Sequence, residues 1–292
     1  MHLKKNNFIA ISFFIILFSF HQSDVFAQID IQKLNADSID QLKLDGKMTG
    51  HELFINSKAG TTASRSRVSS PQNPGTVSSA LTCNCWIPRD ATWQIAALDG
   101  SGASGGPGLP PDYRNDDWST VPLNLPFNFC FYGTTVNSVY INNNGNVSIG
   151  GAYSTFTASG FPNNSFVMVA PFWADVDTRG ALSGIVYYTI KPTYMIVQWE
   201  NVGYFSQQDD KLNTFQLIIT DGLDPILPAG QNTSFCYKDM QWTTGAASGG
   251  VNGFGGTPAT VGVNRGNGID YIQVGLFDTA GAAYDGPYGN SD

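Results

Sequence analysis

From residue 121 to 132, polar and apolar residues alternate, with Leu123, Leu125, Phe127, Phe129 and Phe131 on one face. A period of two is the pattern of a half-buried strand. Apolar runs at 136–141 and 146–149 then flank Asn142-Asn143-Asn144-Gly145, and Asn-Gly is the strongest short hairpin signal. Further strands are predicted over 166–170, 185–190, 194–200, 213–220, 234–242, 260–263 and 271–277. About ten short strands with no amphipathic helix between them predict a mainly β protein, an antiparallel β-sandwich. A parallel α/β sheet needs crossover helices, and the pattern offers none.

The pattern changes toward the N-terminus. Lys4 and Lys5 precede an almost unbroken apolar run over 8–20, and Val25-Phe26-Ala27 ends in a small residue. This reads as a signal peptide over 1–27, too short to span a bilayer of about 30 Å. No later stretch approaches that length, so the mature chain is expected to be exported without a transmembrane span. Residues 28–80 read as a low-order linker: weak helical periodicity through Ile39, Leu42 and Leu44, then a Ser/Thr-rich stretch leading into Pro71 and Pro74. The folded domain is placed at 81–292. The turn-like end, Tyr284 to Asp292, suggests a fragment of something longer.

Composition sharpens this reading. The 23 acids include only two Glu, Glu52 and Glu200, against 32 Gly. Glu favours helices, whereas Asp and Gly favour turns. The net charge of −8 excludes nucleic-acid binding through a general basic surface. That charge sits in the folded part, where seven Lys and Arg from residue 83 onward face seventeen acids. An exported chain with four cysteines, Cys83, Cys85, Cys130 and Cys236, is expected to form disulfides rather than a zinc site, because zinc sites favour paired CxxC spacings. The favoured pairing sends the CxC pair to Cys130 and Cys236, one each, and leaves open which goes to which.

Candidate chemistry is sparse. The three histidines, His2, His21 and His51, all precede the folded part, which excludes His-dependent triads and His-ligated metals there. The glycine-rich stretch 245–256 lacks the Lys-Ser/Thr ending of a phosphate loop. Glu200 with Asp175 and Asp177 leaves a carboxylate glycosidase as a lesser alternative. A carbohydrate-binding module needs only aromatics and polar loops, and so asks less of the sequence. Asp175 and Asp177, spaced to face the same way in extended backbone, are a candidate Ca²⁺ site together with Asp209, Asp210, Asp221 and Asp224. The alternative is a structural pairing with Arg179.

Ser138-Val-Tyr-Ile-Asn-Asn-Asn-Gly-Asn-Val-Ser148 and Val169-Ala-Pro-Phe-Trp-Ala-Asp-Val-Asp-Thr-Arg179 resemble the extracellular NIDO domain of nidogen. The resemblance continues through Val197-Gln-Trp-Glu-Asn-Val-Gly-Tyr204, Asp239-Met-Gln-Trp-Thr-Thr244 and Gly253-Phe-Gly-Gly-Thr-Pro-Ala-Thr-Val-Gly-Val263. It covers most of 125–277. The Cys83-Asn-Cys-Trp86 start is similar to the version found in secreted bacterial multidomain proteins. What the resemblance implies is a secreted or surface-displayed, non-catalytic module associated with cell–matrix adhesion. Its partners would be an extracellular matrix or cell-surface protein or glycan. The family transfers no ligand residues, and there is no Arg-Gly-Asp.

Overall fold

A computed structural model of the chain describes residues 36–48, 85–103 and 106–277. The expected signal peptide, Cys83 and most of the expected linker lie outside them. The described residues form a helix, α1 (Ala36–Leu44), and thirteen strands. These are β1 (Gln94–Ile95), β2 (Ser101–Gly102), β3 (Trp118–Ser119), β4 (Leu123–Phe131), β5 (Thr134–Asn142), β6 (Asn146–Ser148) and β7 (Met168–Trp173). After them come β8 (Val186–Ile190), β9 (Tyr194–Tyr204), β10 (Gln208–Thr220), β11 (Thr233–Met240), β12 (Thr260–Asn264) and β13 (Tyr271–Leu276).

All described pairings are antiparallel, in two sheets that form the expected sandwich. One sheet runs β1-β8-β9-β10-β11, and the other β13-β12-β7-β6-β5-β3-β2 with β4 also paired to β5. In β4, Leu125, Phe127, Phe129 and Phe131 point into the core and their neighbours face out, as the alternation predicts. From the other sheet, Val197, Trp199, Phe215 and Leu217 meet them, and the Trp199 and Phe215 rings stack at 5.0 Å.

The centres of β9 and β10 are apolar on both faces because both faces are covered. Ile196, Ile218 and Cys236 pack outward under Cys85, Trp86, Ile87 and Trp93. The Cys85–Cys236 disulfide fastens that covering strap, with Cα atoms 5.8 Å apart at a sequence separation of 151. It realises one of the two expected cross-links. Cys130 is exposed and has no disulfide partner among the described residues, and its expected partner Cys83 lies outside them.

Pro171 sits in β7, between β6 and β12 rather than at an edge. The register slips between Thr260 and Gly262 opposite Trp173 and Ala170, so the proline occupies a bulge and spares the ladder a missing donor.

Residues 36–48 depart from the low-order expectation for 28–80. Ile39 and Met48 are buried with Ala103, and the helix closes on Gly46. There Lys47 N–H donates to the Leu42 carbonyl and Gly46 N–H to that of Lys43, a Schellman end with Gly46 left-handed. The periodicity is weak because α1 also buries a charge, which apolar patterning does not register.

Candidate functional site

That charge is Lys43, whose side chain is 0% exposed. Its ammonium lies 2.8 Å from Asp117 Oδ2, 3.0 Å from Asp116 Oδ2 and 3.0 Å from Asp175 Oδ1. The Phe205 and Phe156 rings cover it, with centroids at 4.0 and 4.3 Å.

Three segments bring the carboxylates together. Asp116 and Asp117 end the loop before β3, and Asp116 bridges to Asp177. Asp175 follows β7, and its carbonyl accepts from Phe205 N–H at 3.1 Å. The Asn144-Gly145 turn holds the two sides in place: Asn144 Nδ2 donates to Asp117 Oδ1 at 2.7 Å, and its Oδ1 accepts from Val176 N–H at 3.0 Å. Only glycine fits at 145, where φ is +69° and a Cβ would lie 1.8 Å from the Phe172 carbonyl oxygen. The hairpin signal therefore also marks a wall of the site.

Asp175 and Asp177 do not act as one pair. Asp175 faces Lys43, whereas Asp177 takes Arg179 in a fork, Nε–Oδ1 at 2.9 Å and Nη2–Oδ2 at 2.6 Å. Asp177 also accepts from the backbone N–H groups of Arg179 and Gln207. Arg179 reaches on to Asp40 of α1 at 2.9 Å and to Asp116 at 3.3 Å. The expected Arg179 pairing is thus present for Asp177. Of the other aspartates considered, Asp209 accepts from Leu182 N–H, Asp210 pairs with Lys211, and Asp221 and Asp224 accept from nearby turn N–H groups.

The site is short of positive charge. Asp40, Asp116, Asp117, Asp175 and Asp177 are linked to two cations, Lys43 and Arg179. Burial raises Asp175 well above the usual carboxylate range, and Lys43 only partly offsets it. Burial, reinforced by Asp116, raises Asp117 to about 6. Burial works against the charged form of Lys43, but Asp116, Asp117 and Asp175 together overcome it and hold the ammonium firmly. Asp175 Oδ2 has no hydrogen-bond partner among the described residues. The oxygens of Asp116, Asp117 and Asp175 lie within 4.8 Å of one another, a spacing suited to a hard cation, and the chain's own lysine stands among them.

A second feature lies on the outer face of the five-stranded sheet. Beside the strap is a cleft of about 510 Å³, lined by Trp86, Arg89, Asp90, Gln198, Glu200 and Lys238 among others. Arg89 grips Glu200 at 3.0 and 3.3 Å and lies 3.9 Å from the centroid of the Tyr187 ring. The Thr92 hydroxyl lowers Asp90, which does not suit that carboxylate to the proton-donating role of a glycosidase.

A family model described as NIDO related matches residues 103–282, more than half of the chain. The chain belongs to the NIDO-related family. Alpha-tectorin of Homo sapiens is 34% identical over 189 residues, covering 54% of this chain and 8% of that protein. The Gallus gallus alpha-tectorin is 31% identical over the same length. Nidogen of Drosophila melanogaster is 26% identical over 163 residues, 46% of this chain and 12% of that protein. The chain therefore spans about a tenth of the length of these relatives. No solved structure matches it. The relatives are extracellular matrix proteins, and the NIDO-related chain is extracellular. They support the NIDO assignment but not a likeness to the bacterial version in particular. No helix among the described residues is long and apolar enough to cross a membrane.

The cage carboxylates and both aromatic rings fall inside the NIDO match, whereas Lys43 falls outside it. Sequence reading finds Asp175, Asp177 and Arg179 but misses Lys43, Asp116 and Asp117. The adjacent Asp116-Asp117 is a visible signal. Nothing local marks Lys43, 73 residues from Asp116.

Proposed function

We propose that this NIDO domain is a non-catalytic adhesion or structural module of the extracellular matrix or cell surface. The observation that carries the reading is that the acidic cluster within the family match is buried and committed to Lys43 and Arg179. Its carboxylates hold the fold together, which leaves the outer faces for partners. Binding of the purified mature protein to immobilised decellularised matrix tests it. Saturable binding, with no hydrolysis of matrix glycans, is the expected result. Absence of binding to matrix and to intact cells alike would refute it.

Carbohydrate binding is a second reading, favoured by the cleft beside the strap. Trp86 offers an aromatic ring there, next to the planar polar groups of Gln198, Arg89 and Glu200. On a glycan array, the expected signal is lost in Trp86→Ala while the fold is kept. A signal unchanged by that substitution would place the glycan elsewhere. The geometry also supports a structural role for Asp175 and Asp177 over calcium binding, since the Lys43 ammonium stands at Asp175 and the Arg179 fork holds Asp177.

A further inference from the structure

The NIDO match begins at residue 103, yet the cation that completes its buried cage comes from residue 43. Five features make the pocket specific for an ammonium: carboxylate oxygens from Asp116, Asp117 and Asp175 at 2.8–3.0 Å, and the Phe156 and Phe205 rings. Beside Lys43, residues 36–48 touch the domain through the Asp40–Arg179 pair and an apolar contact of Ile39, Leu42 and Met48 with Ala103. α1 is therefore seated as a peptide ligand is seated: one deep anchor, one flanking ion pair and a short apolar strip. Thirty-six residues, 49–84, separate Met48 from Cys85, where the covalent fastening to the sandwich begins.

We propose that the Asp116–Asp117–Asp175 cage with Phe156 and Phe205 is a binding site for a lysine presented on a helix, and that residues 36–48 are its resident ligand. The ligand class is a primary ammonium on an unbranched stem, long enough to reach a fully buried seat. An arginine fork is broader than the compact point charge that three converging carboxylates and two ring faces enclose.

The test uses the full mature chain with a specific protease site inserted between Ser57 and Ser70. After cleavage, the N-terminal fragment is expected to co-elute with the domain in native size exclusion, although no covalent bond joins them. A fluorescent peptide of residues 33–50 is then added in excess. It is expected to displace the resident fragment and remain bound, whereas the same peptide carrying Lys43→Met binds about 100-fold more weakly or worse. That is the order expected when one partner of a buried charge cluster is removed. A Lys43→Arg peptide is expected to fall between them. Separation of the cleaved fragment under native conditions would overturn the proposal, because it would show that the cage does not retain its ligand. Equal binding of the unsubstituted and Lys43→Met peptides would also overturn it, by assigning the docking to the apolar strip alone. The wild-type domain serves throughout, so failure of a variant to fold cannot decide the outcome.

Discussion

Two ion-paired regions of this molecule use the same side-chain chemistry in opposite surroundings. In the cage, Lys43 and the three carboxylates it touches are 0% exposed. In the cleft, Arg89 and Glu200 are 36% and 28% exposed. A buried ion taken out of water depends almost wholly on its protein partners, whereas an exposed pair can exchange its partner for water. Geometry alone would rank the two alike, since both sets of contacts fall near 3 Å. Burial decides that one holds the fold and the other leaves a surface free to bind.

The largest effect should come from removing the cage cation. Lys43→Met keeps the stem and deletes the charge, leaving three buried carboxylates facing each other. Chemical denaturation should show a loss of about 3–5 kcal/mol. A loss below about 1 kcal/mol, the level of an exposed pair, would mean that the cage is solvated in solution. The disulfide ranks next. Replacing Cys85 and Cys236 by Ser should cost about 2–4 kcal/mol, through a closed loop of 151 residues. We propose that Cys83 pairs with Cys130 as well. A thiol titration of the native protein should then find none free, and two free thiols would leave Cys85–Cys236 alone.

Within the cage, the two aspartates singled out from the sequence should separate. Asp177→Asn breaks the Arg179 fork and should cost about 1–3 kcal/mol. Asp175→Asn removes a negative charge from a cluster that already has too many, and keeps an oxygen for Lys43. It should stay within about 1 kcal/mol of wild type, the scale of a single neutral hydrogen bond. Equal losses would show that the charge excess is compensated by something other than protons.

That pair also shows how far the sequence could be read. Alternation in 121–132 placed β4 and its buried face, and Asn144-Gly145 placed the β5–β6 hairpin, because both are local consequences of side-chain period and turn chemistry. The i, i+2 spacing put Asp175 and Asp177 on one extended stretch. It could not show that different cations meet them, because those partners arrive from a distant helix and a neighbouring turn. Charge complementarity over 132 residues leaves no periodic trace.

Protonation sharpens the contrast further. Burial raises Asp117 to about 6, so the folded state binds its proton more tightly than the unfolded chain does. Stability from this group is therefore greatest at low pH and declines as pH rises from the ordinary carboxylate range through about 6. Asp90, Asp210 and Asp270 are lowered by hydrogen bonds, so their contribution is lost only at more acidic pH than this window. Between about pH 7 and 5, the urea midpoint of the wild type should rise. The rise should shrink in Asp117→Asn, and an identical profile in both would assign the proton elsewhere.

The smallest effect belongs to the cleft. Arg89→Ala removes an ion pair and a contact with the Tyr187 ring, but water replaces both. The expected loss is about 0–1 kcal/mol, and less at high salt, since an exposed pair is screened. Because the Gln216 side-chain amide accepts from Ile87 N–H and donates to the Ile87 carbonyl, and Cys85 is bonded to Cys236, the strap should keep its place without Arg89. A Glu200 freed from its guanidinium would then face the cleft, so any glycan affinity measured there should change while the melting temperature does not. If Arg89→Ala instead destabilises the fold as strongly as Lys43→Met, the cleft is a structural joint. Exposure would then have failed to separate the two regions.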